Sequence, residues 1–134
     1  MSNHLVEPKI KEHKKSDTAI VITAYCAEPY KAEKHHMLKK LCESFKRSPH
    51  LIVVASHTPI PANIQELVDL CIYDNDNEFH WNGIPKKALQ PHMKWDLETG
   101  ALNAFYGIAE LKSVHNAINS LKKYSNVKSI LKIA

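Results

Sequence analysis

The sequence predicts an α/β domain: a three-layer fold with a mostly parallel four-stranded sheet in the order 3-2-1-4 and helices on both faces. Three observations predict it. Ala19-Ile-Val-Ile-Thr-Ala-Tyr25 and His50-Leu-Ile-Val-Val-Ala-Ser-His57 are short apolar runs that stop at small polar residues. Such β-branched runs read as strands buried on both faces, as inside a parallel sheet. Stretches with helical periodicity separate these runs from one another and from two further strand-like runs, and strand–helix alternation of this kind builds a parallel sheet through right-handed crossovers.

Each element follows from its residues. Residues 1–17 hold Pro8 and four lysines and read as an irregular N-terminal arm, leaving 18–134 as a single domain. Residues 18–25 are the first strand. Pro29 suits the first turn of a helix, and 31–47 place Met37, Leu38, Leu41, Cys42 and Phe45 at helical spacing. Ser48-Pro49 stops it, and 50–56 form the second strand. Thr58-Pro-Ile-Pro61 is a stiff connection into a short helix at 62–69, with Ile64, Leu67 and Val68 inward. Leu70-Cys-Ile-Tyr73 is the third strand and runs into Asp74-Asn-Asp-Asn77. Residues 77–98 have neither period, and long irregular loops in compact domains tend to carry function. A helix over about 100–124 follows, with Ala101, Ala104, Phe105, Ile108, Leu111, Val114, Ile118 and Leu121 as its apolar stripe. Val127–Ala134 is the fourth strand.

Composition bounds the function. A chain of 134 residues with 44% hydrophobic content can bury a sizeable core. Cys26, Cys42 and Cys71 are scattered without CxxC spacing, which points to reduced thiols and a reducing, cytoplasmic setting. No apolar run reaches membrane-spanning length. The net charge of +4 comes from dispersed lysines with no accompanying nucleic-acid-binding motif, so solvated helix faces explain it better than nucleic acid does.

Open α/β sheets bind ligands at the carboxyl ends of their strands. The first three strands end in Thr23, Ala24 and Tyr25, in Ser56 and His57, and in Asp74 and Asp76. Carboxylates and carbonyls accept from base N–H groups, hydroxyls meet a ribose, and a tyrosine stacks, so this edge suits a nucleoside. There is no GxGxxG and no Walker motif, so phosphates would need another partner, most simply a divalent Mn²⁺ or Mg²⁺. Asp74-Asn75-Asp76 matches Asp-x-Asp literally, but an Asp/Asn cluster is also what a turn wants, and no metal site is assigned there. The histidines lack HxxxH spacing, and Cys26 has no sequence-local partner that would activate it. A phosphoacceptor receiver domain fits poorly, because the first strand ends in Thr-Ala-Tyr rather than in an acidic cluster.

Ile20-Val-Ile-Thr-Ala-Tyr25, Ile52-Val-Val-Ala-Ser-His-Thr-Pro-Ile-Pro61, Gln65-Glu-Leu-Val-Asp69, Ile72-Tyr-Asp-Asn-Asp76, the Tyr106-Gly-Ile-Ala109 helix and Lys122-Lys-Tyr-Ser125 carry a likeness. Together, over roughly residues 18–134, they resemble the N-terminal half of a GT-A fold glycosyltransferase, of the phage and virus type. The resemblance implies a nucleotide-sugar donor, a UDP-sugar, with Thr23, Ala24 and Tyr25 lining the nucleoside pocket and Asp74 facing the base. In that family the metal-binding Asp-x-Asp follows the fourth strand, and the acceptor half comes later still. The expectation is therefore a donor-binding half, weak or inactive in transfer alone, whether as a truncated product, part of a split protein or a diverged small one. The alternative is a non-catalytic binding or assembly module, whose fourth strand, as a sheet edge, would pair with a second copy or a partner chain.

Overall fold

The computed structural model describes residues 5–10, 16–26, 29–74, 80–81, 84–85 and 101–133. Its elements in chain order are β1 (Leu5–Ile10), β2 (Thr18–Ala24), α1 (Lys31–Ser44), β3 (Leu51–Ser56), α2 (Ala62–Gln65), β4 (Leu70–Asp74), β5 (His80–Trp81), β6 (Ile84–Pro85), α3 (Ala101–Tyr124) and β7 (Ser129–Ile133). The main sheet has the order β1-β4-β3-β2-β7. Four of its strands, β4-β3-β2-β7, are mutually parallel and reproduce the expected 3-2-1-4 order.

The N-terminal arm departs from expectation. Leu5–Ile10 is a fifth strand, antiparallel to β4, with a register irregularity between Val6 and Lys9. Pro8 lies inside that irregularity. Proline cannot donate to a ladder, so in sheets it is confined to edges and bulges. β5 and β6 pair as a two-stranded antiparallel ribbon within the stretch read as irregular. Trp95 and His92, from that same stretch, lie outside the described residues.

Alternation along the strands sorts the core into two layers. Ile20, Ile22, Ile52 and Val54 face α1 and α2, meeting Leu38, Cys42, Ile60, Ile64 and Val68. Ala19, Val21, Leu51, Val53, Ala55, Leu70 and Ile72 face the other way, toward Ala117 and Leu121 of α3. All six residues of β3 are buried. Each fully buried Val or Ile contributes about 1.5–3 kcal/mol of burial free energy, so these two layers dominate the fold's stability.

Helix faces are set by this packing. In α1, Leu38 and Cys42 are buried, while Met37 is exposed. The helix stops at Ser44 and tightens into a turn closed by bonds from the Phe45 and Lys46 amides to the Cys42 and Glu43 carbonyls. α2 is one turn started by Pro61 and held by Gln65 Nε2 donating to the Ile60 carbonyl at 2.6 Å. In α3 the buried stripe is Ser113, Ala117, Ser120 and Leu121, whereas Leu111 is 71% exposed. The expected stripe through Leu111 is thus rotated, because small residues let a helix sit close on a sheet.

β4 is entered through a reciprocal clamp. The Ile52 amide donates to Asp69 Oδ2 at 2.8 Å, and the Asp69 amide donates to the Ile52 carbonyl at 2.9 Å. The ladder between β3 and β4 starts one residue later, at Val53 and Leu70.

Candidate functional site

The carboxyl ends of β2, β3 and β4 meet at one edge, as expected, but their side chains go to different places. Thr23 points to the α3 side and donates from Oγ1 to Glu110 Oε1 at 3.1 Å. The same carboxylate oxygen takes a salt bridge from Lys132 of β7. Asp74 is 1% exposed and accepts from Asn116 Nδ2 at 3.0 Å, with Lys112 Nζ at 3.6 Å from the same oxygen. His57 is buried, its Nδ1 lying 3.2 Å from the Asp74 carbonyl oxygen. Ser56 turns into the loop that follows it: its hydroxyl donates to the Thr58 carbonyl at 2.7 Å and accepts from the Thr58 amide at 3.0 Å. Thr58 Oγ1 in turn accepts from the Cys26 amide at 2.8 Å, tying the end of β2 to the end of β3.

Much of the strand-end polarity is therefore structural. Glu110 and Asp74 are the two acids that anchor α3 over the sheet, one beside β2 and β7, the other at β4. The Lys132 hydrogen bond, aided by Thr23, holds the Glu110 carboxyl below its ordinary value against the opposing effect of burial. A carboxyl lowered in the fold stabilises it above the ordinary glutamate pKa, and that contribution fades as the pH falls through the lowered value. Glu110→Gln should lower the melting temperature at neutral pH by an amount that shrinks on acidification. The pair is substantially exposed, so its worth stays under about 1 kcal/mol. A melting difference that does not change with pH would count against this assignment.

The open part of the edge lies on the opposite face. A groove of about 620 Å³ runs between the end of β2 and the flank of α1. Thr23, Ala24 and Tyr25 line it from the strand; Lys34, Met37, Leu38, Lys40 and Leu41 line it from the helix. Lys34 Nζ donates to the Tyr25 carbonyl at 3.3 Å and sits 5.9 Å from the centre of its ring. The residues that line the groove include two lysines and no carboxylate. Cys26 also lines it, but burial raises its thiol above the ordinary value, so the thiolate needed for nucleophilic attack is disfavoured. The groove stands at the switch point of the sheet: α1 leaves β2 on one face, while α3 enters β7 on the other. That is where open α/β sheets receive ligands.

The structure thus brings Ala24 and Tyr25 together around an open space, with Thr23 bordering it while its hydroxyl turns to Glu110 on the other face. It places Ser56, His57 and Asp74 behind that edge, in internal contacts, and Asp76 lies outside the described residues. Sequence reasoning missed the helix side of the groove. Lys34, Leu38 and Leu41 recur at i, i+4 and i+7, but without the structure that spacing reads only as a core stripe with a solvated lysine. Among the described residues, no group of three or more His, Cys, Asp or Glu side chains is placed to hold a metal ion. None of the described helices is long and apolar enough to cross a membrane.

The fold and the groove define an α/β domain of Rossmann-like, doubly wound build with a ligand-sized opening at its switch point. No protein-family model matches the chain, and no curated protein or solved structure is significantly similar to it.

Proposed function

We propose that this domain binds a nucleotide sugar, a UDP-sugar in particular, in the manner of the donor-binding part of a glycosyltransferase. The observation that carries the reading is the groove at the end of β2, with Tyr25 and two lysines on a mostly apolar lining and no carboxylate. Its apolar wall of Met37, Leu38 and Leu41 suits the flat face of a base or sugar. Lys34 and Lys40 suit the negative charge of a diphosphate. A Mn²⁺ or Mg²⁺ ion would arrive with the diphosphate, because the groove's own lining offers it no carboxylate.

The test is a titration of UDP and UDP-sugars in Mn²⁺, followed by thermal unfolding. Saturable stabilisation is expected, worth about 2.7 kcal/mol once ligand exceeds Kd a hundredfold. Lys34→Glu, an exposed change on α1, should weaken binding by about tenfold or more without lowering the melting point of the free protein. Absence of any shift at millimolar nucleotide would end this reading.

A further inference from the structure

A second open feature lies at the other end of the sheet and on its other face. β7 pairs through all five of its residues with β2, from Thr18↔Ser129 to Ile22↔Ile133. Among the described residues nothing pairs with its outer side. Exposed edges are normally blunted by proline, bulges or an outward charge. Ser129-Ile-Leu-Lys-Ile133 has neither proline nor bulge, and its one charge, Lys132, is tied to Glu110. Two apolar side chains stand open instead. Ile130, 37% exposed, pairs with Ala19 and so belongs to the α3 face; Leu131, 56% exposed, pairs with Ile20 and belongs to the α1 face.

Beside Ile130, on the α3 face, a second groove of about 220 Å³ lies between α3 and the start of β7. Ile118, Leu121 and Val127 form its floor, and Lys122 and Lys128 supply its charge, with no carboxylate in its lining. The start of β7 is held by the Asp17 carbonyl oxygen, which accepts from the Lys128 and Ser129 amides.

We infer that the outer edge of β7 is a docking site for an extended peptide segment of a partner protein, apolar on one side and acidic on the other. Added as a strand, such a segment would satisfy the open backbone groups of β7. Strand alternation then sends every second side chain to each face. Its apolar residues would lie against Leu131 on the α1 face. Its carboxylates would lie on the α3 face, their stems over Ile130 and their charges at Lys122 and Lys128. A second copy of this chain is a poor occupant by the same charge argument. Its own β7 has no acidic residue, and it would bring Lys122, Lys128 and a net charge of +4 against their equals. The inference is independent of nucleotide-sugar binding, since the two grooves share no residue.

The probe is a fluorescein-labelled, capped octapeptide of alternating valine and glutamate, read by anisotropy, with its valine–lysine counterpart as control. Saturable binding of the acidic peptide alone is expected, weakening with salt. Lys122→Glu with Lys128→Glu should weaken it by about tenfold or more and transfer the preference to the basic peptide. Leu131→Asp should weaken binding of the acidic peptide. All three positions are exposed, and unchanged circular-dichroism melting would confirm that the variants fold. UDP-sugar titration of the same variants should match the parent protein, which separates failure here from failure of the donor reading. Equal binding of both peptides, no binding at millimolar peptide, or indifference to the lysine reversal would overturn the inference. So would a dimer by light scattering that Leu131→Asp dissociates, because that result gives the edge to a second copy.

Discussion

Asp74→Ala is expected to destabilise the domain by about 2–4 kcal/mol. The carboxylate is 1% exposed at the end of β4 and accepts from Asn116 while facing Lys112 across 3.6 Å. Removing one member of a buried pair leaves the other without its counter-charge, and that penalty exceeds what the pair contributes over an apolar substitute. Lys112 keeps a path to water, since its side chain is 28% exposed, which sets the upper limit of the range. Asn116 has less freedom, being half-buried on α3. The His57 contact survives, because it reaches the Asp74 backbone. Asp74→Asn should cost less than half as much, since it restores an acceptor for Asn116 while losing the charge. Urea unfolding of the two variants decides the matter. Equal costs for alanine and asparagine would show that charge dominates, and a cost below about 0.5 kcal/mol for alanine would remove Asp74 as an anchor of α3.

Ile52→Ala should cost about 2–5 kcal/mol, and Ile52→Val about 0.5–1.5 kcal/mol. Ile52 is fully buried in β3, between β2 and β4, and belongs to the layer under α1 and α2. A central strand held by ladders on both sides cannot shift to close the space a lost side chain leaves. The backbone there is pinned as well, through the Asp69 clamp. Typical domains hold only about 5–15 kcal/mol in all, so the alanine variant approaches the limit of folding. Leu131→Ala, on the exposed edge, should fall within about 0.5 kcal/mol of the parent. Thermal unfolding of the three variants checks the ranking; a cost for Leu131→Ala equal to that for Ile52→Ala would contradict the assigned core.

The parallel sheet was legible because its strands are written in one residue class. Ile20-Val-Ile22 and Ile52-Val-Val54 admit few other structures, and their spacing leaves room for one helix between them. β1 was not legible, because Pro8 and the charges around it argue locally against a strand; only the free edge of β4 makes room for one. The α3 stripe was misread for a related reason. Apolar periodicity marks Leu111, Val114 and Ile118, yet the sheet selects the small side chains at Ser113, Ala117 and Ser120. In the site, periodicity and punctuation located the strand ends but could not say which way each side chain turns. Thr23 and Asp74 look alike as strand-terminal polar residues. Their difference from Ala24 and Tyr25 lies in what α3 presents to them, Glu110, Lys112 and Asn116, which are more than 35 residues further along the chain.

The pairing of β2 with both β3 and β7 also has a kinetic side. Ala19 meets Leu51 across a short span, while Thr18 meets Ser129 across 111 positions. Closing the longer span costs only about 1 kcal/mol more chain entropy, since that cost grows with the logarithm of length. The β2–β3–β4 unit therefore has a head start of roughly fivefold over β7 rather than an absolute priority. Until β7 arrives, the groove has its strand and α1 walls without the β7 ladder that fixes the far side of β2, and Glu110 lacks Lys132. The switch point is the seam where an early half of the sheet is joined to a late one.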